Sequence, residues 1–578
     1  MLKTVKHQVE FCVVGGGLAG MCAAIAAARQ GIKTLLMHER PVLGGNASSE
    51  IRMWVCGAHG HMESGIIEEI RLENIHRNRC ANYSIWDSIL YEKVRFQENL
   101  ELLLNCSCQS VEMNGDKISS VKGYQMTTQQ YHEVEATIFA DCSGDSILAP
   151  LTGAKFRVGR EARDEFGESI APVTFDRKTM GMSCLIQARE TIKPQKFIPP
   201  PWANKYTSID DLPHRLRKFN PLENYWWMEL GGEHDSIADT EELRDELLKV
   251  AFGVWDYYKN YSDDSTANWI LDWVGFLPGK RESRRYEGDY IVNQNDVTSE
   301  GKFADIVAYG GWSMDDHHPA GLNTRELPTI FHPAPSPYGL PYRALYSKNI
   351  DNLMFAGRNI SVTHATMSSS RVMATCAILG EAAGTGAAVA IKNQLSPRGV
   401  YEQKISELQN TLMEDDCWLP SLQRPVCELS AKAKISASTG NPEPLRNGFD
   451  RDLTGMVNHW DATPGAKVEY ELAATTEISE IRLVFDSDLT RDSRRAHLTA
   501  ASNYPLEMIE FATPETLVKG FHLEFEDENG QSRELFRETN NYQRFIKIPV
   551  SEKAKKVRLV IDAIREVNPA KVFAFEVR

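Results

Sequence analysis

The chain has 578 residues, of which 42% are hydrophobic and 25% are charged. These fractions are ordinary for a folded protein and exclude a largely disordered or fibrous chain. The formal charge of −15 disfavours nucleic acid and anionic membranes as partners, because both bind clustered cations. We find no run of about 20 uninterrupted apolar residues and no secretory signal region. We therefore expect a cytoplasmic chain that crosses no membrane.

The N-terminal region predicts a strand, a glycine turn, a helix and a second strand. Val9–Val14 is apolar, Ala19–Gln30 is rich in helix-favouring alanine, and Lys33–His38 is apolar again after Gly31. This order is typical of a βαβ unit of about 30 residues. Further elements are expected downstream: strands at 101–104, 119–126 and 133–140, and a helix of small residues at 372–392.

The amino-acid composition changes twice along the rest of the chain. The middle region holds seven of the eleven tryptophans and several proline clusters, which suggests a substrate or cap domain. After about residue 430, short predicted strands alternate with turns, as in a β-sandwich. The sequence therefore predicts the first part of a cofactor-binding domain at 1–154, an inserted substrate domain at 155–345, the second part of the cofactor domain at 346–395, a helical linker at 396–429 and a sandwich module at 430–578.

The turn after the first strand carries a phosphate-binding fingerprint. Residues 15–20, GGGLAG, read G-x-G-x-x-G between a strand and a helix, and Glu39 ends the next strand. In this pattern Gly15 permits the tight turn, Gly17 lets a pyrophosphate approach the backbone, and Gly20 lets helix and strand pack closely. The helix N-terminus favours the anion, and Glu39 would bind the adenosine ribose.

Three later segments resemble signatures of FAD enzymes of the glutathione-reductase-like superfamily. Residues 40–49, RPVLGGNASS, are similar to its glycine-asparagine-serine loop, residues 136–145 to its second signature, and residues 352–359, NLMFAGRN, to its late signature at the ribityl chain. The most similar subgroup is the FAD-dependent oxidoreductase family that carries GGNASSEIR and the later run RESRR at 281–285. Some of its members are labelled xanthan lyases. The resemblance implies an α/β, Rossmann-like FAD-binding domain with an inserted α+β substrate domain.

The resemblance implies FAD as the cofactor. A separate NAD(P)H domain and a disulfide reductase are not expected, because no second fingerprint follows a strand and no CxxC lies in the first helix. The electrons then pass between the flavin and a bound small-molecule substrate. The predicted cofactor-binding residues are Gly15, Gly17, Leu18, Ala19, Gly20, Glu39, Arg40, Gly44, Gly45, Asn46, Ser48, Cys108, Asp145, Gly357, Arg358, Asn359, Met367 and Arg371.

Oxidation of an alcohol needs a base for the hydroxyl proton, and histidine suits this role near neutral pH. His318 and His364 are the favoured candidates and His317 is the third; two aspartates precede the adjacent pair, and His364 follows the late signature. His59 and His61 are candidates for facing the flavin ring or for covalent attachment. Structural roles stay open for each: a capped turn, or a brace for a loop. We expect no metal, because no ligand spacing repeats.

The arginines in RESRR supply a second kind of site. Guanidinium groups bind carboxylates or phosphates through two parallel hydrogen bonds. Arg281 and Arg284, together with His59, are therefore predicted to bind the substrate. An internal salt-bridge cluster that includes Arg285 is the equal alternative.

Residues 430–578 resemble, more loosely, the discoidin or coagulation-factor type C β-sandwich, a jelly roll of the galactose-binding type. The resemblance rests on 436–438, 447–450 and 459–462 and on strands at 468–472 and 478–483. Such folds often bind sugars, although docking or oligomerisation is an equal alternative. We expect FAD-dependent oxidation of a small polar substrate, with a sugar or glycoside hydroxyl favoured. The alternatives are a flavin-using lyase of polysaccharides or glycosides, and an oxidoreductase of a carboxylate held by the arginines.

Overall fold

The computed structural model describes residues 2–60, 62–489, 491, 500–508 and 510–578. The chain divides into two compact units. The first consists of Met1–His59, Cys80–Gln409 and His497–Glu510, and the second of Gly60–Arg79, Asn410–Ala496 and Phe511–Arg578.

A five-stranded parallel sheet forms the centre of the first unit. Every residue of the strands Phe11–Val14 and Thr34–Met37 is buried, as expected of parallel strands covered on both faces. The glycine turn leaves the carboxyl end of Phe11–Val14, which is where parallel sheets bind ligands. The strand order is Leu353–Phe355, Ile138–Asp141, Phe11–Val14, Thr34–Met37 and Leu100–Leu103.

Two helices of small residues, Leu18–Arg29 and Met373–Lys392, pack on this sheet and on each other. Their backbones nearly touch: a Cβ on Gly380 would lie 2.0 Å from the carbonyl oxygen of Ala19. Met373–Lys392 is long and apolar enough to cross a membrane by length and composition, and 94% of its most apolar stretch is buried within the structure. A core helix of this kind has the same composition as a membrane span.

Smaller sheets and hairpins build the rest of the first unit. One antiparallel hairpin, Met314–His317 with Thr329–His332, borders the candidate site described below. The other groups are the four strands Thr4–Gln8, Gln130–Glu135, Lys117–Gln125 and Cys106–Asn114; the three strands Glu229–Leu230, Met182–Ser183 and Gly279–Lys280; and the pairs Ile186–Glu190 with Trp269–Val274, Phe156–Arg157 with Arg285–Tyr286, and Ile306–Gly310 with Tyr338–Pro341.

The aromatic residues of the middle region mainly fill a core. Trp227, Trp255 and Trp269 are buried in one cluster around the helix Thr240–Asn260. This region shares one compact unit with both predicted parts of the cofactor domain. The further helices of the chain are Ile66–Arg77, Tyr83–Arg95, Leu148–Thr152, Arg163–Phe166, Gln294–Thr298, His364–Ser370, Pro397–Gln403, Ile405–Glu414 and Glu428–Lys432.

A seven-stranded antiparallel sheet forms most of the second unit, so the C-terminal part is all-β as predicted. A buried cluster that contains Trp460 is its core, and Trp460 therefore serves as a core residue. The strands follow the order Trp460–Ala462, Ala570–Val577, Lys467–Phe485, Phe545–Ala563, Gly520–Glu526 and Ser532–Glu538, and Lys434–Ala437 pairs with Lys467–Phe485.

The units divide the chain differently from the predicted boundaries. Residues 60–79 belong to the second unit, where buried Glu68 accepts hydrogen bonds from Arg491 at 2.9 Å and from Ser487 at 2.8 Å. In the first unit, Asn503 accepts a hydrogen bond from the backbone N–H of Ala188 at 2.7 Å. Such pairings between distant parts of the chain cannot be recognised from the local amino-acid composition.

Candidate flavin and substrate site

A cavity of about 280 Å³ in the first unit starts at the glycine turn and reaches the hairpin Met314–His317 with Thr329–His332. Its walls bring together segments that are far apart in the sequence. They include residues of 15–19, 38–46, 51–56, 142–144, 279–281, 312–317, 357–358 and 371–376.

The three glycines of the fingerprint meet different surroundings. Gly15 has φ +107°, and a Cβ there would lie 2.4 Å from the backbone of Cys142. A Cβ on Gly20 would lie 1.8 Å from the carbonyl oxygen of Gly15. At Gly17 the nearest atom to an added Cβ is Cα of Gly45, 3.9 Å away. Gly15 and Gly20 thus permit close packing, whereas Gly17 leaves space above the N-terminus of the helix Leu18–Arg29.

One end of the cavity carries an acid beside a histidine. Glu39 lines the cavity, and its carboxylate lies 3.2 Å from Nδ1 of His38. That nitrogen accepts a hydrogen bond from the backbone N–H of Gly16 at 3.0 Å, and Nε2 of the same ring donates to the carbonyl of Val42 at 3.0 Å. No local sequence pattern selects His38, whose ring lies between the acid and the glycine turn.

The loop after this acid passes beside the glycine turn. Gly44 and Gly45 have positive φ values of +104° and +59°, a conformation that favours glycine. Asn46 lines the cavity and donates a hydrogen bond to the carbonyl of Lys280 at 3.1 Å. Ser48 lies behind the loop, where its hydroxyl donates to the carbonyl of Gly45 at 2.7 Å.

The opposite wall carries paired charges and unpaired donors. Asp145, one layer behind the cavity, accepts hydrogen bonds from Lys280 at 2.8 Å and Arg358 at 2.6 Å. Burial would raise the pKa of Asp145, but the charge of Arg358, followed by that of Lys280, holds it below its ordinary value. Buried polar atoms with no hydrogen-bond partner among the described residues include Nε of Arg358, Oδ1 of Asn359, Nε of Arg371 and Nε1 of Trp312.

These features fit FAD. Open backbone at Gly17 lies over a helix N-terminus that suits a pyrophosphate, and Glu39 suits ribose hydroxyls. Buried donors left unpaired cost about 1–3 kcal/mol each, and a polar cofactor offers them acceptors. Of the predicted cofactor residues, Gly20, Ser48, Cys108, Asp145, Asn359 and Met367 do not line the cavity.

Cys108 and Met367 have surroundings unlike those of a cofactor ligand. Cys108 lies on the strand Cys106–Asn114, where burial raises the pKa of its thiol to about 12. Met367 is fully buried in the helix His364–Ser370. Both side chains pack inside the protein and neither lines the cavity, so their assignment as cofactor-binding residues stays a prediction.

One predicted histidine does line the cavity. His317 is 3% exposed; its Nδ1 lies 2.6 Å from a carboxylate oxygen of Glu229 and its Nε2 lies 3.2 Å from Asp315. Trp226 meets its ring edge-on at 5.2 Å. Glu229 is buried too, and although burial would raise the pKa of Glu229, the charge of Arg281 holds it below its ordinary value.

The two favoured histidines lie elsewhere. His364 is buried between Glu282 at 2.8 Å and Asp316 at 3.1 Å. Although burial opposes it, the charge of Glu282 raises the pKa of His364 to about 10. Because His364 does not line the cavity and a protonated ring cannot accept a proton, the structure does not favour it as the base. His318 lies outside the cavity, is 32% exposed and accepts a hydrogen bond from the N–H of Ala320 at 3.2 Å.

Only one of the three predicted substrate-binding residues lines the cavity. Arg281 lines the cavity, whereas Arg284 lies behind it and donates to the carbonyl of Asp145 at 3.3 Å. Arg285 forms a buried salt-bridge cluster with acidic neighbours, the alternative that the sequence left open. His59 is exposed and does not line the cavity. His61 lies outside the described residues.

Several lining residues were not predicted. Lys280 stands beside Arg281, so proximity in sequence could have suggested it. Asp315, one of the two aspartates before the histidine pair, lines the cavity as well. No local signal marks several others, which come from distant loops and strands. They include Met53, Trp54, Cys56, Asn224, Trp226, Trp312 and Phe331.

The fold and cavity define a flavin-binding oxidoreductase, and sequence comparison gives the family. The sequence model of the FAD dependent oxidoreductases matches residues 10–412. Because this match spans more than half of the chain, the protein belongs to that family and is an enzyme that uses FAD. No curated protein matches the sequence.

Solved structures similar to a part of the chain are carbohydrate-binding modules. They include the family 32 module from Streptococcus pneumoniae EndoD, with 12% identity, 26% of this chain and 97% of that chain covered, and a TM-score of 0.21. CpGH89CBM32-6 produced by Clostridium perfringens has 13% identity, coverage of 27% and 98%, and a TM-score of 0.19. The Streptococcus pneumoniae fucose binding module SpX-3 has 15% identity, coverage of 26% and 98%, and a TM-score of 0.19. Scores this low carry no argument.

Proposed function

We propose that this enzyme oxidises a hydroxyl group of a small polar substrate, of the sugar or glycoside class, and that His317 takes the hydroxyl proton. The observation that carries the proposal is the hydrogen bond of 2.6 Å between Nδ1 of His317 and the buried carboxylate of Glu229. FAD, when bound, supplies the two-electron redox chemistry.

The hydrogen bond prepares His317 to accept a proton. A carboxylate accepts hydrogen bonds and does not donate them, so Glu229 fixes a proton of the ring on Nδ1. The proton from the substrate would go to Nε2. Asp315, 3.2 Å from that atom, provides a carboxylate for the resulting N–H. The two acids thus orient the ring and stabilise its protonated form.

The lining of the cavity supports a sugar. Trp226, Trp312 and Phe331 contribute aromatic surface, and Asn224 contributes an amide. Aromatic faces pack on the C–H surfaces of a pyranose ring, and a few polar groups fix its orientation. Phe331 is 58% exposed although it lines the cavity, so it offers a stacking surface at the opening.

Anaerobic flavin reduction tests the proposal. The purified enzyme is mixed with a panel of sugars, glycosides and sugar acids, and bleaching near about 450 nm reports reduction of FAD. For the best substrate, His317→Ala should retain FAD and reduce it roughly 10²–10⁴-fold more slowly. His318→Ala is the matched control, because His318 is the next residue in the chain and its imidazole does not line the cavity. This variant should reduce FAD at the normal rate. Normal reduction by His317→Ala would refute the assigned base.

A further inference from the structure

Five ionisable side chains form one alternating row along the substrate part of the cavity. Arg281 lies 3.6 Å from Glu229, Glu229 bonds to His317, His317 bonds to Asp315, and Arg371 lies 3.2 Å from Asp315. Arg281, His317, Asp315 and Arg371 line the cavity. The proposed base is thus flanked on both sides by a guanidinium group.

Arg281 is buried without a close anionic partner of its own. Its guanidinium donates to the Ser183 hydroxyl at 2.9 Å and to the Trp226 carbonyl at 2.7 Å, which are both neutral. Its nearest carboxylate, Glu229, already accepts hydrogen bonds from His317 and from the backbone N–H of Gly181. A buried cation held by neutral acceptors is costly unless an anion joins it.

Arg371 lies at the other end of the row. It donates to the carbonyl and the carboxylate of Asp315 at 3.2 Å, while its buried Nε has no hydrogen-bond partner among the described residues. Burial lowers the pKa of Arg281, and the nearby charge of Arg371 lowers it further against the opposing effect of Glu229. Both guanidinium groups end this row on the cavity wall, and a bound anion would offer each of them a charged acceptor.

The charge balance of this wall agrees with a monoanion. Apart from His317, four cations face three carboxylates, so one carboxylate on the substrate would balance the charge. The cations are Arg281, Arg371, Lys280 and Arg358, and the carboxylates are Glu229, Asp315 and Asp145.

We propose that the substrate is a hydroxy acid of the sugar-acid class, whose carboxylate binds Arg281 and Arg371 while its hydroxyl faces Nε2 of His317. This inference rests on the proposed function and adds the anionic group. In the reaction the carbinol C–H bond breaks and its electron pair leaves as hydride, so that FAD is reduced by two electrons. The O–H proton passes to His317, a C=O bond forms, and the carboxylate is unchanged.

Matched ligand pairs test the substrate class without turnover. Galacturonate and gluconate are each compared with a neutral counterpart, the methyl ester of galacturonate and glucitol, through the change that they cause in the spectrum of oxidised bound FAD. We expect each acid to bind the normal enzyme roughly 10- to 100-fold more tightly than its counterpart, the size of one charge-assisted hydrogen bond. In Arg281→Gln and in Arg371→Gln most of this preference should vanish. Arg325→Gln, an exposed arginine outside the cavity, should keep it.

The outcomes separate the two proposals. Equal binding of acids and neutral counterparts by the normal enzyme would overturn the inference, and so would a loss of affinity in the arginine variants that is the same for both. If Arg281→Gln fails to fold or loses FAD, the preference for acids is measured in Arg281→Lys and Arg371→Gln instead. A third outcome combines two results: the normal enzyme prefers the acids, and His317→Ala reduces FAD at the normal rate. This outcome would refute His317 as the base and would still support a carboxylate substrate.

Discussion

Replacing Gly17 by valine tests the cofactor site at the point where the structure leaves most room. Gly17 has φ −67° and ψ 175°, an extended backbone that valine adopts without strain. An added Cβ would meet only Cα of Gly45, 3.9 Å away. The apoprotein should therefore fold normally, while the valine side chain fills the space over the first turn of the helix Leu18–Arg29.

The expected loss of FAD affinity follows from the contacts that valine would block. The first N–H groups of a helix have no partner inside it, and Gly17 offers no side-chain cap, so a pyrophosphate is their natural acceptor. Hydrogen bonds to a charged group contribute about 1.5–3 kcal/mol each. Loss of two such bonds would cost about 3–6 kcal/mol, or roughly 10²–10⁴-fold in Kd. Gly17→Ala should lose less, because it adds one carbon.

The assay measures FAD content and apoprotein stability separately. FAD per chain comes from absorbance, the Kd from titration of apoprotein with FAD, and stability from the thermal melting of both apoproteins. Gly20→Ala is the contrasting variant, because its Cβ would lie 1.8 Å from the carbonyl oxygen of Gly15. That variant should lose about 1–3 kcal/mol of folding stability from overpacking. Stoichiometric FAD in Gly17→Val would refute the placement of the pyrophosphate above Gly17. An unfolded Gly17→Val apoprotein would refute the expectation that valine fits there without strain.

Three further predictions concern buried charges. Glu229→Gln should slow flavin reduction roughly 10- to 100-fold with little change in KM, because an amide orients the catalytic ring but does not stabilise its cation; an unchanged rate would contradict this. The pKa of His364 is raised to about 10, so its stabilising effect is complete below the unfolded value of about 6.5 and is lost as the pH rises to about 10. His364→Gln should therefore lower Tm at pH 6 and match the normal enzyme near pH 10; a constant difference would contradict this. Removing residues 420–578 leaves the carboxylate of Glu68 without its partner Arg491, so limited proteolysis should cut first within the helix 66–77. Resistance of this helix to proteolysis would contradict a stabilising role for the Glu68–Arg491 pair.

Local sequence signals predicted the first βαβ unit to within two residues at most ends. The predicted helix Ala19–Gln30 is Leu18–Arg29 in the structure, and the predicted strand Lys33–His38 is Thr34–Met37. Such elements are set by apolar periodicity and by glycine, which act over a few residues. The predicted strand at 133–140 is instead two strands in two sheets, Gln130–Glu135 and Ile138–Asp141. Ala136 and Thr137 lie in that break and include neither glycine nor proline, so no turn signal marks it.

The choice of base shows why the site was harder to predict than the fold. In a strand, successive side chains point to opposite faces, so a shift of one residue reverses which of them meets the cavity. In the hairpin, His317 pairs with Thr329 and Asp316 with Ile330. This register places Asp315 and His317 on the cavity side and sends Asp316 to His364, while His318 follows the strand. The adjacent histidines are equivalent in sequence, and the acid that selects His317, Glu229, lies 88 residues away. Tertiary register therefore decides which imidazole lines the cavity.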